Sequence, residues 1–139
     1  MRYNFDMDGT IADLYGVENW LNDLENENAR PYEIARPLVN MARLARALNR
    51  ARRNGNEIAV VSWLARNASN EYNERVAEAK RAWLARHLPS VHWDEIIIVP
   101  YGTPKNEIAN GVLFDDEEPN RMAWGAGAYE PNEIFEVLA

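Results

Sequence analysis

Residues 57–63, Glu-Ile-Ala-Val-Val-Ser-Trp, carry four apolar residues in a row, Ile58 to Val61. A strand with one wet face alternates apolar and polar side chains, whereas a strand covered on both faces has no need to. Such a run demands apolar cover above and below, and the flanking segments can supply it as helices. Leu38, Met41, Leu44 and Leu48 recur at helical spacing before it and stop at Asn54-Gly55, a plausible C-cap. Tyr72, Val76, Ala79, Trp83 and Leu84 do the same over about 70–87, ending ahead of Pro89. A strand between two amphipathic helices is the unit from which parallel sheets are built.

The same alternation extends along the chain. Residues 2–6 set Tyr3 and Phe5 between polar neighbours and read as a short strand. Further strands are expected at 94–100 (DEIIIVP), at 111–116 (GVLFDD) and around 127–131 (GAYEP). Val17, Trp20, Leu21 and Leu24 predict a helix over 17–28, and Pro31 and Pro37 mark 29–37 as a loop or a broken turn. The closing segment, PNEIFEVLA, reads as a helix with Pro131 in its first turn. The expectation is therefore an α/β chain, one domain over residues 1–139, with an open parallel sheet and right-handed crossovers.

Charge and composition narrow the partners. A net charge of −7 argues against general binding to a nucleic-acid backbone and fits poorly with a membrane surface. No apolar run reaches the length of a membrane span, and the N-terminus enters a strand pattern with no leader-like segment. The absence of cysteine excludes disulfides and thiolate metal sites. A cytoplasmic protein is expected. The arginines at 43, 46, 50, 52 and 53 stand opposite Leu44 and Leu48, which makes them a solvated face rather than a nucleic-acid stripe. Trp83 and Trp93 are expected in the core and His87 and His92 at the surface.

In open α/β sheets, ligands bind beyond the carboxyl ends of the strands. The first strand ends in Asp6-Met7-Asp8-Gly9-Thr10, the second in Ser62, and the fourth in Asp115-Asp116 followed by Glu117-Glu118. Thr103-Pro104-Lys105 follows the third strand and reads as a helix start, where the helix dipole disfavours a cation. Lys105 therefore points to an anionic partner. So many carboxylates at one crevice make sense around a hard divalent cation such as Mg²⁺, which takes oxygen ligands. Carboxylates, a cation, a lysine and a hydroxyl together suit phosphoryl transfer. One aspartate can act as nucleophile and another as proton donor and acceptor, with the cations neutralising phosphoryl oxygens. Glu117 and Glu118 read as acids at a helix N-terminus ahead of Pro119.

In this order the motifs resemble those of the haloacid dehalogenase-like phosphohydrolase superfamily. Asp6 to Thr10 match its Asp-x-Asp-Gly-Thr motif, Ser62 its strand-end hydroxyl, Lys105 its lysine and Asp115-Asp116 its closing acidic pair. The resemblance covers residues 2 to about 120 and is nearest to compact 5′(3′)-deoxyribonucleotidase-like members and to small proteins of bacteria and their phages. It implies a three-layer Rossmann-like fold with sheet order 5-4-1-2-3, counting the five expected strands along the chain. It implies that Asp6 is nucleophile and metal ligand, and that Asp8 is general acid/base and lends its backbone carbonyl to the metal. Ser62 and Lys105 would bind the phosphoryl group, beside the Gly9-Thr10 turn. Asp115 would be the third protein ligand and Asp116 its support, or the reverse.

Members of this superfamily carry caps that decide the substrate. Here a flap and small cap are expected at about 11–36, which leaves an open site that takes a large substrate or is closed by a second copy of the chain. Tyr15, Trp20 and Tyr32 are candidates to stack on a base, with Trp20 more simply read as core of the small insert, and Trp63, Arg66 and Asn67 are candidates to touch substrate. The expected activity is Mg²⁺-dependent hydrolysis of a small phosphorylated molecule, nucleotides among the candidates, through an aspartyl-phosphate on Asp6. The alternatives are an enzyme that degrades a signalling nucleotide, of phage or immunity type, and a binder that holds a phosphorylated ligand unchanged.

Overall fold

The computed structural model describes residues 1–139. Its centre is a five-stranded sheet in which every pairing is parallel. The strands are β1 (Arg2–Phe5), β4 (Glu57–Trp63), β5 (Glu95–Val99), β6 (Val112–Phe114) and β7 (Ala128–Tyr129). They lie side by side in the order β5-β4-β1-β6-β7. A separate antiparallel ribbon pairs β2 (Ala12–Asp13) with β3 (Arg36–Pro37). Helices flank the sheet in the manner of Rossmann-like three-layer folds. The main ones are α3 (Met41–Arg53) and α4 (Asn70–His87). No helix is long and apolar enough to cross a membrane.

The uninterrupted run in β4 is covered on both faces: Ile58, Ala59, Val60, Val61 and Ser62 have no exposed surface. Leu44, Leu48 and Ala51 of α3 and Trp83 and Leu84 of α4 join Phe5, Ile58, Val60 and Phe114 in one core. Both helices begin on side-chain caps, with Asn40 accepting from the Arg43 amide and Ser69 from the Tyr72 amide. The five α3 arginines are all exposed, and Arg43 lies over the Phe135 ring at 4.0 Å. Trp83 is buried as expected, donating to Ala35 O at 2.8 Å, whereas Trp93 is only partly buried.

Three local readings need correction. The helix expected over 17–28 is only α1 (Trp20–Glu25), because Asn19 and Glu27 adopt left-handed backbone and Leu14–Gly16 forms a separate 3₁₀ turn. The loop expected at 29–37 contains α2 (Arg30–Ile34), where Pro31 sits in the first turn and starts the helix rather than breaking it. The third helix begins at Met41, which leaves Leu38 outside it and exposed. Residues 14–35 thus form a small helical insert between the strands of the ribbon. It packs Leu14, Ala29 and Tyr32 against Tyr72, Val76 and Ala79 of α4 in a second apolar cluster.

Candidate active site

Because β1 is central, with β4 on one side and β6 on the other, its carboxyl end lies where the chain's connections diverge. A crevice opens at such a point. The loop after β1 folds back tightly, Met7 O accepting from the amides of Thr10, Ile11 and Ala12. Gly9 takes φ +81°, and a Cβ there would fall on the Asp116 carboxylate. The glycine is thus required by both backbone and packing.

Asp6 is buried and doubly held. Oδ1 accepts from Lys105 Nζ at 2.9 Å and Oδ2 from the Thr10 hydroxyl at 2.9 Å. Lys105, the first residue of the short helix α5 (Lys105–Ile108), also donates to Asp115 Oδ2 at 2.8 Å. The cap before it is Pro104, not Thr103, whose hydroxyl instead donates to Pro100 O at 2.7 Å. Burial disfavours the Lys105 ammonium, but the Asp6 and Asp115 carboxylates outweigh it and push its pKa up to about 12.

The acidic pair after β6 divides sharply. Both oxygens of Asp115 are engaged: Oδ2 by Lys105 and by Asn120 Nδ2 at 3.1 Å, Oδ1 by the Glu117 amide at 2.9 Å. Asp116 has one protein donor, Thr10 Oγ1, at 3.3 Å from Oδ1; its carboxyl also lies against that of Asp6, and its Oδ2 accepts from no protein donor. Burial, then the charge of Asp6, push the Asp116 carboxyl up to about 8. One oxygen each from Asp6, Asp115 and Asp116 lie within 4.8 Å of one another. Three crowded hard-oxygen donors, with burial and the Asp6 charge raising the carboxyls of both Asp115 and Asp116, fit a small divalent cation, which would relieve their mutual repulsion.

Asp8 points elsewhere. Its Oδ2 accepts from Lys80 Nζ at 2.8 Å, and its carboxyl lies outside the three-acid group. Burial raises its pKa above the ordinary carboxylate range, with Lys80 opposing. Ser62 has no exposed surface, and its hydroxyl accepts from Lys80 at 2.7 Å. Thr10 is likewise buried and ties Asp6 to Asp116. Lys80 escaped the sequence reading. The available signal was a lysine in the apolar stripe of α4, between Val76 and Trp83.

A cleft of about 650 Å³ opens over these groups, lined at its base by Asp6, Asp8 and Lys105. Its walls are aromatic. Tyr15 and Trp20 from the insert meet edge to face at 5.0 Å, and Trp63 and Tyr101 from the sheet end lie 4.9 Å apart. Tyr32, Arg66 and Asn67 also line it, as do Glu117 and Asn120. Glu117 is therefore both the residue before helix α6 (Glu118–Trp124) and a wall of the cleft, while Glu118 is exposed. Glu117 was read from sequence only as an acid at a helix start, and Tyr101 and Asn120 were not singled out as facing a cleft, since nothing local in a turn or a short helix marks which side chain does so. No protein-family model matches the sequence, and no curated protein matches it.

Proposed function

We propose that this chain is a Mg²⁺-dependent phosphohydrolase of the haloacid dehalogenase-like type, acting on a small phosphate monoester with a flat aromatic body, a nucleotide among the candidates. The observation that carries the reading is the convergence of Asp6, Lys105 and the Asp115-Asp116 pair at the end of β1, with Asp8 beside them at the floor of one cleft. The sheet order, with β1 flanked by β4 and β6, supports the same resemblance.

In this reading the Asp6 carboxylate attacks phosphorus while the bond to the leaving oxygen breaks. That oxygen takes a proton from the Asp8 carboxyl, whose raised pKa suits the task. Water then attacks the aspartyl-phosphate at phosphorus and gives its proton to Asp8, which frees phosphate and restores Asp6. Lys105 neutralises charge next to the nucleophile. Asp6 and Asp116 would hold Mg²⁺ together with the backbone carbonyl of Asp8. Asp115 meets more protein donors than Asp6 or Asp116, three against two and one, and holds Lys105 and Asn120 in place. The cation supplies further neutralisation of the phosphoryl oxygens. Ser62 braces Lys80 in this structure, so any phosphoryl contact from it needs the hydroxyl to be uncovered.

The walls set the class of substrate. Two aromatic pairs lining a cleft of about 650 Å³ favour a planar group in it, and the exposed Arg66 adds a positive charge. The test is phosphate release from mononucleotides, sugar phosphates and cyclic or ADP-ribose-like nucleotides with Mg²⁺, with products followed by mass spectrometry. Release is expected from wild-type protein and none from a folded Asp6→Asn variant. A ligand that is bound but returned unchanged, or turnover retained without the Asp6 carboxylate, overturns the mechanism.

A further inference from the structure

Lys80 lies on the buried face of α4 with Tyr72, Val76, Ala79, Trp83 and Leu84 as companions, and it is 1% exposed. Packing alone gives no reason for an ammonium there, since a buried charge is costly unless its bonds are filled. They are filled completely. Nζ donates to Trp63 O at 2.6 Å, Ser62 Oγ at 2.7 Å and Asp8 Oδ2 at 2.8 Å. An ammonium has three donors and no acceptor, so nothing remains for a ligand. The Tyr32 ring, 5.2 Å from Nζ, covers it from the insert side.

Two of those acceptors belong to the end of β4 and are fixed by the sheet. The ammonium is thus anchored to the scaffold, and its third N–H reaches out to Asp8. The other Asp8 oxygen, Oδ1, accepts from no protein donor, and Asp8 lines the cleft. We propose that Lys80 is a positioning residue that turns Oδ2 of Asp8 inward and presents Oδ1 to the leaving oxygen of the substrate. This rests on the phosphohydrolase reading above. An oxygen that faces the ammonium serves as its acceptor, so the proton handed to the leaving group travels on Oδ1. Without Lys80 the carboxyl is free to rotate, and proton delivery is lost ahead of substrate binding.

The leaving group distinguishes this role from mere support. p-Nitrophenolate departs without a proton, whereas the alkoxide of benzyl phosphate needs one, and both carry a flat ring. The parameter to compare is kcat/KM, which covers steps up to the first irreversible transfer. Lys80→Met is expected to lower kcat/KM for benzyl phosphate by at least about tenfold more than for p-nitrophenyl phosphate. The chain has no cysteine, so Lys80→Cys gives a second and cleaner comparison. Alkylation of its single thiol with 2-bromoethylamine rebuilds the ammonium, and bromopropane gives the uncharged equivalent of equal size. After identical refolding, the amine form should recover the wild-type ratio of the two substrates and the propyl form should not. Equal losses on both substrates, or equal ratios in the two alkylated forms, overturn the role of Lys80 while the hydrolase reading stands. Wild-type protein that releases phosphate from neither compound, nor from the wider panel, defeats the hydrolase reading and this inference with it.

Discussion

Replacing Lys105 with methionine tests how the crevice is held together. The substitution keeps the length of the side chain and removes its charge. Two charge-assisted bonds vanish, to Asp6 at 2.9 Å and to Asp115 at 2.8 Å. The lysine side chain is 3% exposed and those of Asp6 and Asp115 are 11% and 0% exposed, so water cannot replace the ammonium. Removing one member of a buried ion pair costs about 3–5 kcal/mol. Asp115 keeps Asn120 and the Glu117 amide, and Asp6 keeps Thr10, which places the loss near the lower end. The expectation is a fall of about 3 kcal/mol in unfolding free energy for metal-free protein in urea at pH 7, and of roughly 10 °C in Tm. Millimolar Mg²⁺ should restore more stability to the variant than to the wild type, because the cation relieves carboxylates that lysine no longer neutralises. The pH window follows from the sign of the shift. The Lys105 pKa is raised from 10.5 to about 12, so its stabilisation is complete below pH 10.5 and is lost only as pH climbs through 12. A measurement at pH 7 captures it whole. A metal-free variant within about 1 kcal/mol of wild type would refute the reasoning, because that is the worth of an exposed pair.

Two other predictions concern the acidic pair and the sheet edge. Asp116→Asn should weaken Mg²⁺ binding by at least about tenfold in calorimetric titration, while Asp115→Asn should cost more stability than affinity, since its oxygens hold protein donors; the opposite ranking would exchange their roles. Asp94 accepts from the Ile58 amide at 2.8 Å, and that bond, then Arg52, holds its carboxyl below the ordinary 3.8. Asp94→Ala should therefore cost about 1 kcal/mol at neutral pH. A depressed pKa stabilises above its ordinary value, so the gap between wild type and variant should close as pH falls below 3.8, and a gap that widens there contradicts it.

Strong, long-period patterns were legible in the sequence, as were residues whose chemistry is local to a strand end. The apolar run of β4 and the stripes of α3 and α4 each require burial to make sense, and burial is what they have. The insert was harder. α1 contains no buried residue, so its spacing carried little information, and its bounds are set by left-handed backbone at Asn19 and Glu27. Pro31 misled because proline stops a helix from within and starts one from its first turn. At the site, Asp6, Asp8 and Lys105 could be placed by the order of strand ends alone. Lys80 could not, because its partners stand 17, 18 and 72 positions away and meet only when α4 docks on the sheet. The division between Asp115 and Asp116 was equally hidden. It depends on which of two neighbouring carboxylates meets Lys105 and Asn120, and adjacent residues in a turn diverge too freely for spacing to decide that.

The β2–β3 ribbon joins Ala12 to Pro37 and Asp13 to Arg36, so the two ends of the insert meet at one small clasp. What hangs from a clasp can be exchanged. For a segment whose ends are already held together, doubling the length adds only about 0.6 kcal/mol of closure entropy. The carboxylates of the candidate site, Asp6, Asp8, Asp115 and Asp116, all lie outside the clasp, on the strand side. A lineage can therefore lengthen, shorten or replace residues 14–35 without disturbing Asp6, Lys105 or the acidic pair, provided the newcomer still covers Tyr72 and Val76 on α4. On the proposed hydrolase reading, inheritance of the reaction and diversification of its targets are thereby separated along the chain, and laboratory recombination at 13 and 36 has a natural pair of seams.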